Sequence, residues 1–166
     1  MTIERLSPSH TAAYRRLRLR GLRESPTAFG SSYAEEAKFP LKAFVARMER
    51  SPTRWVFGAF EGGRLVGVVT LIRESKTKER HKASIFGMYV DRKMRRSGIG
   101  RRLLERAVEA ARRLPGLKQV RLAVVETNLP ALRLYESAGF KIFGREEAAL
   151  RVAGKFYSEL FLVYRL

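Results

Sequence analysis

Hydrophobic residues recur along this chain with two different periods, and the two periods separate predicted helices from predicted strands. The clearest helical segment lies after residue 98, where apolar residues return every third or fourth position and charged residues fill the positions between. Such a pattern is typical of an amphipathic helix that packs against a sheet. Its apolar face consists of Ile99, Leu103, Leu104, Ala107, Val108 and Ala111.

Three further helices are predicted from serine, proline and glycine signals at their ends. Ser7-Pro8 supplies an N-cap followed by a proline in the first turn, and Gly139 is placed to end the last helix. The expected ranges are 8–25, 41–50 and 129–137. The segment 25–36 has the composition of a loop, although it carries Phe29 and Tyr33.

Seven segments are expected to be strands. Two of them flank Glu61-Gly62-Gly63, and a Gly-Gly pair supplies the positive φ angles of a tight hairpin turn. The segment 83–90 is apolar on both faces, which predicts a central strand. The expected ranges are 2–6, 54–60, 64–72, 83–90, 120–125, 140–145 and 156–166.

The order of these elements, β-α-α-β-β-β-α-β-α-β-β, is typical of the α/β (α+β) class. It predicts a mixed sheet flanked by about four helices, with a right-handed crossover through the long helix. No internal repeat or second-domain boundary is visible, so residues 1–166 are expected to form a single domain.

Composition narrows the kinds of site that this fold can carry. The chain has no cysteine and its two histidines are far apart, so we expect no disulfide and no metal site. The first residues contain no apolar stretch long enough for a signal peptide or a membrane span. A cytoplasmic protein without membrane attachment is expected.

The charge is unusual, since 34 Lys and Arg residues stand against 16 Asp and Glu residues, for a formal net charge of +18. A field of this sign attracts anions such as nucleic acid, phosphorylated cofactors and acidic surfaces. The basic residues are spread along the chain, however, and aromatic residues are not interleaved with them as base-stacking platforms would be. No specific nucleic-acid partner is therefore expected, and a nucleic-acid- or ribosome-associated basic protein is the alternative hypothesis.

A segment rich in glycine and arginine, Arg95–Leu104, marks the start of the long helix. It lacks the Gly-Lys-Ser/Thr of a P-loop, and Leu103 stands where a dinucleotide fingerprint needs its third glycine. Two explanations are left open by these residues. The free N–H groups of the helix N-terminus bind a pyrophosphate that the glycines allow to approach, or Gly98 and Gly100 only serve a tight turn into the helix.

Two motifs, separated by one helix and one strand, resemble those of the Gcn5-related N-acetyltransferase (GNAT) family. The acetyl-CoA motif of that family, Arg/Gln-x-x-Gly-x-Gly/Ala, is matched by Arg95, Gly98 and Gly100. The second motif, Asn-x-x-Ala-x-x-Leu-Tyr-x-x-x-Gly-Phe, corresponds to the segment 128–140. Its matching positions are Asn128, Ala131, Leu134, Tyr135, Gly139 and Phe140.

The resemblance implies a mostly antiparallel sheet of about seven strands, in which the segment 85–90 splays from 120–125 to leave a V-shaped slot. Acetyl-CoA is the implied cosubstrate, held by main-chain groups of the fourth strand, by the arginine-rich loop and by the short helix after the fifth strand. Asn128 is also a suitable N-cap for that helix. The implied cofactor-binding residues are Met88, Tyr89, Val90, Arg95, Arg96, Ser97, Gly98, Ile99, Gly100, Arg101, Asn128 and Tyr135.

The resemblance further implies direct attack of a neutral amine on the thioester, with the Tyr135 hydroxyl protonating the departing thiolate. A core aromatic with a satisfied hydroxyl is the competing role for this tyrosine. The lack of cysteine excludes a Cys-linked acyl-enzyme. Many relatives carry a carboxylate base on the fourth strand, but 83–90 has none, which leaves Glu126, Glu74 and Glu35 as candidates.

The amine acceptor is the least determined part of this interpretation. The segment 25–36 resembles the acceptor-side loop of one broad bacterial branch of the family. The candidate acceptor contacts are Phe29, Tyr33, Glu35 and Glu126. The implied acceptor is a primary amine on a small molecule, amino acid or peptide, and the positive charge also suits an acidic or ribosome-bound acceptor. The protein is expected to be a monomer or a homodimer.

Overall fold

The computed structural model describes all 166 residues, which form seven strands and five α-helices. The strands are β1 Thr2–Arg5, β2 Arg54–Glu61, β3 Arg64–Arg73, β4 Lys82–Val90, β5 Gln119–Val125, β6 Lys141–Val152 and β7 Lys155–Arg165. The helices are α1 Thr11–Glu24, α2 Tyr33–Glu36, α3 Leu41–Met48, α4 Ile99–Arg112 and α5 Leu129–Ser137.

The strands make one sheet in the order β1-β2-β3-β4-β5-β7-β6. Every neighbouring pair is antiparallel except β4 and β5, which are parallel. A parallel pair needs a long crossover connection, and here α4 provides it. The predicted mixed, mostly antiparallel sheet of seven strands is confirmed.

Two elements differ from their predicted bounds. The segment 25–36 contains α2, because Ser32 Oγ accepts a hydrogen bond from the Glu35 N–H at 3.2 Å and Glu35 Oε2 accepts one from the Ser32 N–H at 3.0 Å. This reciprocal capping box starts a helix. The second difference is β6, which continues to Val152 instead of ending at residue 145, because β7 pairs with it as far as Lys155.

The sheet separates two hydrophobic cores. The larger core lies against α4 and α5, and all six residues of the predicted apolar face of α4 are buried in it. The smaller core lies against α1 and α3 and includes Leu17, Leu22, Phe44 and Tyr89. Because helices cover both faces, the side chains of the middle strands contribute to two different cores.

The sheet opens between its two central strands. β4 pairs with β5 only from Lys82 to Ser84, whereas β5 pairs with β7 along its whole length. Beyond Ser84 the edge of β4 is therefore unpaired on the β5 side, which is the V-shaped slot that the resemblance implied. Phe86 is 54% exposed at this opening, so the central strand is not buried along its whole length.

A β-bulge lies in β4 at the same level. Between the paired positions Val68–Tyr89 and Thr70–Phe86, β3 has one residue, whereas β4 has two, Gly87 and Met88. Gly87 has a φ of +58°. An extra residue of this kind shifts the alternation of side chains by one. As a result Ile85 belongs to the α4 side of the sheet and Tyr89 to the α1 side.

A buried carboxylate ties the three helices on the α1 side together. Glu36, which is 2% exposed, accepts hydrogen bonds from Arg18 Nε at 3.2 Å and Nη2 at 2.7 Å, and from Arg47 Nη1 at 2.8 Å. Burial alone would raise the pKa of this carboxyl, but the hydrogen bonds and charges of the two arginines outweigh burial and lower the pKa from 4.5 to about 2.

We expect Glu36→Gln to destabilise the protein strongly, because it leaves two guanidinium groups without their anionic partner. Removing one member of a buried ion pair typically lowers the free energy of unfolding by about 3–5 kcal/mol, and urea unfolding at pH 7 measures it. Glu35→Gln is the control, since a glutamine preserves the capping box.

Wild type and Glu36→Gln also test how the free energy of unfolding depends on pH. A carboxyl whose pKa is lowered on folding stabilises the protein above its unfolded pKa, and this stabilisation is lost as pH falls toward the folded pKa. The difference in free energy of unfolding between wild type and Glu36→Gln should therefore shrink as pH falls from about 5 toward about 2. A difference that stays constant over this range would contradict the assigned ion pair.

Candidate active site

The loop before α4 leaves several backbone N–H groups unpaired. Gly98 is the N-cap, and the first hydrogen bond of the helix runs from the Arg102 N–H to Gly98 O at 3.1 Å. The N–H groups of Ile99, Gly100 and Arg101 therefore have no partner within the helix, and no side chain caps it. With the positive end of the helix dipole, these donors favour an anion at this place.

Gly98 and Gly100 are required for different physical reasons. Gly98 has a φ of +80°, in the left-handed region, and a Cβ added there would meet nothing within 4 Å. A Cβ on Gly100 would lie 3.3 Å from Leu134 Cδ2 and 3.5 Å from Met88 Cε. Close packing of α4 against α5 and β4 thus accounts for Gly100 without a ligand, whereas the space beside Gly98 is open.

Arg95, the basic position of the first motif, is turned toward the protein. Its Nε donates to Val90 O at 3.1 Å, and its Nη2 donates to Ser25 Oγ at 3.3 Å. Its guanidinium also lies 5.5 Å from the ring centre of Tyr89. This arginine therefore joins the end of β4 to the end of α1.

The other polar residues of the loop differ in their contacts. Ser97 Oγ donates to Met94 O at 2.6 Å, and Arg101 Nη2 donates to Ser137 Oγ of α5 at 2.9 Å. Arg96 is exposed, has a φ of +64°, and makes no hydrogen bond or ion pair with the protein. Among these residues, Arg96 carries the cation that is free for a ligand.

Tyr89 and Met88 send their side chains to opposite faces of the sheet. The Tyr89 hydroxyl donates to Glu24 Oε2 at 2.7 Å beneath α1. Burial, followed by this hydrogen bond and the Glu24 charge, raises the pKa of Tyr89 to about 12. Met88 packs on the α4 side, so these two adjacent side chains contribute to different cores of the protein.

The second motif places two polar groups beside the opening. Asn128 is the N-cap of α5, and its Oδ1 accepts from the Ala131 N–H at 3.4 Å. Tyr135, two turns further along α5, is 9% exposed, and its hydroxyl has a single partner, Met88 Sδ, at 3.7 Å. Burial raises the pKa of Tyr135 to about 12. A thioether is a weak acceptor, so this buried hydroxyl has no oxygen or nitrogen partner.

A cavity of about 230 Å³ lies on the other face of β4, between the sheet and α1–α3. It reaches the bulge at Phe86 and Gly87. Its charged lining residues are Arg18, Glu36, Arg47 and Arg54. The bulge therefore separates a charged cavity on one face from the buried Tyr135 hydroxyl on the other.

The two aromatic residues predicted to contact the acceptor, Phe29 and Tyr33, do not line this cavity. Phe29 is buried, with the guanidinium carbon of Arg18 4.7 Å from its ring centre. Tyr33 contacts Arg23 through both its ring and its hydroxyl. Phe29 thus fixes the position of a cavity arginine, and Tyr33 packs against α1.

The three carboxylates considered as bases also lie outside the cavity lining. Glu35 caps α2. Glu126 is bound by Arg145 at 2.8 Å and 3.1 Å, and this pairing lowers the pKa of Glu126. Glu74 lies 3.7 Å from Arg121 near the closed end of the slot.

Sequence reasoning did not single out the charged residues of the cavity. Arg18 had a detectable signal, because it lies one turn from both Tyr14 and Leu22 on the buried face of α1. Glu36 and Arg54 gave no such signal, since they come to the cavity from different elements. A charge on an apolar helix face indicates either a buried ion pair or a site.

Two other classes of feature were searched for in the structure. No three His, Asp or Glu side chains lie together in a way that could hold a metal ion. None of the helices is both long enough and apolar enough to cross a membrane.

Comparison with solved structures shows the fold. An acetyltransferase of the GNAT family from Streptococcus pneumoniae is 23% identical, with a TM-score of 0.87 over 99% of both chains. The protein yncA from Salmonella typhimurium, solved with its cofactor acetyl-CoA, is 20% identical, with a TM-score of 0.83 over 100% of this chain and 94% of its own. Ribosomal-protein-alanine N-acetyltransferase from Brucella melitensis is 19% identical, with a TM-score of 0.80 over 100% of both chains.

Comparison of the sequence itself identifies the family. No curated protein sequence gives a significant match. The acetyltransferase (GNAT) family, however, matches residues 18–140, a range that runs from within α1 to the residue before β6 and includes both motifs and the bulge of β4. The chain therefore belongs to the GNAT family of acetyltransferases.

Proposed function

We propose that the protein is an acetyl-CoA-dependent N-acetyltransferase that acts on a primary amine by direct attack on the thioester. The observation that carries this proposal is the Tyr135 hydroxyl, which is buried beside the open edge of β4 without an oxygen or nitrogen partner. A tyrosine that serves only the core normally has its hydroxyl satisfied. An unsatisfied hydroxyl at this place is available to the sulfur of a thioester.

The N-terminus of α4 supports the assignment of acetyl-CoA as the cosubstrate. Its free N–H groups, the open space beside Gly98 and the unpaired Arg96 suit the pyrophosphate of CoA. Arg95, Ser97 and Ile99 hold this loop through their contacts with the protein. Arg101, half exposed beside α5, is a second cation within reach of the same place.

The open edge of β4 supports the placement of the pantetheine arm. An unpaired strand edge offers the N–H and C=O groups of alternate residues to an extended ligand, and here this edge runs from Met88 to Val90. Asn128 uses its oxygen to cap α5, which leaves its amide N–H groups free to donate to the arm. The bulge at Gly87 would bring a backbone donor to the acetyl carbonyl, where negative charge develops during attack.

Acidity decides how Tyr135 can act. With a pKa raised to about 12 by burial, the hydroxyl keeps its proton at all physiological pH values. A free thiol has a pKa of about 8.5, so complete transfer of the phenolic proton to a thiolate is unfavourable by itself. We therefore assign to Tyr135 a hydrogen bond that strengthens as charge develops on the sulfur while the carbon–sulfur bond breaks.

The proton of the attacking amine leaves without a carboxylate base in the cavity. Glu36 is the one carboxylate in the lining, and its low pKa and its bonds to two arginines make it a poor base. We propose that the amine binds in its neutral form and that water carries its proton away. The Glu126 and Glu35 carboxylates are engaged in the contacts described above.

The high positive charge fits this function without a nucleic-acid partner. Nine arginines lie over aromatic rings of the protein itself, and a ring covered in this way is less available to a base. We propose that the charge draws in the anionic cosubstrate. The acetylation of a ribosomal protein by the Brucella melitensis neighbour keeps a basic ribosome-associated role as the alternative.

We expect Gly98→Asp to weaken acetyl-CoA binding at least tenfold, since it places a negative charge where the pyrophosphate is proposed to lie. Gly98→Asn is the matched control, because asparagine has the same shape and tolerates the left-handed backbone equally well. Isothermal calorimetry with acetyl-CoA measures both. Equal affinity of the two variants for acetyl-CoA would contradict the placement of the pyrophosphate at this loop.

We expect Tyr135→Phe to reduce the single-turnover rate while leaving acetyl-CoA affinity and the melting temperature unchanged. A loss of about 10- to 100-fold corresponds to one hydrogen bond to a charged group, and about 10²–10⁴-fold corresponds to general-acid catalysis. Rapid-quench measurement at saturating substrates distinguishes the two. An unchanged rate would return Tyr135 to a purely structural role.

The pH profile gives an independent check. The required protonated form of Tyr135 is lost only as pH rises through about 12, so kcat/KM should rise as the amine loses its proton and show no descending limb up to about pH 10. A descending limb below about pH 9 that disappears in Tyr135→Phe would contradict the buried, neutral phenol.

A further inference from the structure

The cavity beneath α1 carries more positive charge than the protein neutralises. Its lining contains three arginines, Arg18, Arg47 and Arg54, and a single carboxylate, Glu36. Glu36 is bound to two of these arginines and is ionised, since its pKa is about 2. An excess of two positive charges therefore faces the cavity.

Two of the guanidinium groups also have unused donors. The Arg18 side chain is 10% exposed, and while its Nε and Nη2 bind Glu36, its Nη1 has no acceptor in the protein and lies beside Gly87. Arg54 Nη2 donates to Ala46 O at 2.9 Å, and its Nη1 has no acceptor in the protein. Donors that lack acceptors in a largely enclosed site are unfavourable, so a ligand that accepts from these two nitrogens is stabilised in this cavity.

We propose that this cavity is the acceptor pocket and that it takes a small amine carrying a carboxylate next to its amino group, as a free α-amino acid does. This inference rests on the proposed acetyltransferase function. A carboxylate is planar and accepts paired hydrogen bonds from guanidinium groups. At about 230 Å³ the cavity is smaller than the about 300–1,000 Å³ of sites for drug-sized ligands, which suits an acceptor of amino-acid size.

The position of Arg18 relates the carboxylate to the reaction centre. Its free Nη1 lies 3.6 Å from the position that a Cβ on Gly87 would occupy, at the bulge of β4. A carboxylate bound there holds an α-amino group close to the bulge, at the level where β4 and β5 have separated. The amine thus approaches the open strand edge from the face opposite Tyr135.

The charge of the pocket also selects against other amines. A diamine or polyamine enters as a polycation, and two uncompensated guanidinium charges repel it. The same charges act on the reacting nitrogen, because nearby positive charge lowers the pKa of an ammonium group and favours the neutral amine. This effect reduces the need for a carboxylate base, which the cavity lacks.

The test compares free α-amino acids with their amides and with the corresponding amines that lack the carboxyl group, at saturating acetyl-CoA. The amide keeps the size of the acid but not its charge, and the loss of the carboxylate makes its amino group easier to deprotonate. A preference for the acid therefore cannot come from a larger fraction of neutral amine. We expect kcat/KM for the best acid to exceed that of its amide and its amine at least tenfold.

Variants then assign the preference to the cavity. Arg54→Gln should lower kcat/KM for the acid at least fivefold and leave that for the amide nearly unchanged. Arg16→Gln is the matched control, because it removes the same charge from an exposed position of α1. The comparison of substrates on the wild-type enzyme decides the question even if Arg54→Gln does not fold.

The outcomes separate this inference from the function on which it rests. Acetylation of amides, of amines without a carboxyl group or of polyamines with a kcat/KM equal to or above that of the acids would overturn the carboxylate pocket and leave the acetyltransferase function intact. An equal loss of kcat/KM for acid and amide in a folded Arg54→Gln would overturn it as well. Transfer to no amine at all, with acetyl-CoA binding retained in calorimetry, would overturn both the pocket and the proposed function.

Discussion

The separation of β4 from β5 is the constraint on which the rest of the site depends. β4 has no neighbour on the β5 side after three paired residues, whereas the other edge of β5 is paired with β7 along its full length. Backbone polar groups in the middle of a sheet normally find partners in the adjacent strand. The next α-helices after the two separated strands are α4 and α5, and chain connectivity therefore brings the N-termini of both helices to one opening.

The two faces of β4 have opposite physical character. On the α4 side the surroundings of Tyr135 are apolar, and burial is the cause of its raised pKa. On the α1 side four charged groups share a cavity, where charge is retained because each arginine is held by a carboxylate, a carbonyl oxygen or an aromatic ring. The bulge at Gly87 thus separates the surroundings of Tyr135, which keep its hydroxyl neutral, from a cavity in which four side chains remain charged.

Local patterns predicted the elements whose ends and faces are encoded in a few adjacent residues. The apolar face of α4 and the bounds of α5 follow from periodicity and from Asn128, Pro130 and Gly139, and the structure has them at those positions. The helix α2 was missed although its Ser-x-x-Glu pattern is equally local. Residues whose role depends on several elements meeting in space, such as Glu36 and Arg54, could not be found from the sequence, because no local pattern records that meeting. The motif also could not predict that the Arg95 side chain points toward the protein and bonds to Val90 O, because a motif specifies a residue type and not the direction of its side chain.

The bulge at Gly87 has a consequence for how this chain can vary in length. The polar connection between β3 and β4 lies at the surface, where residues can be added or removed with little effect on the strands that it joins. A deletion of a single residue at position 87 is different, because it would reverse the facing of every β4 side chain that follows. Tyr89 would turn from α1 toward α4, and the start of α4 would rotate with it. Length changes should therefore accumulate between 75 and 81 in related chains, while the number of residues from Ile85 to Gly98 stays fixed.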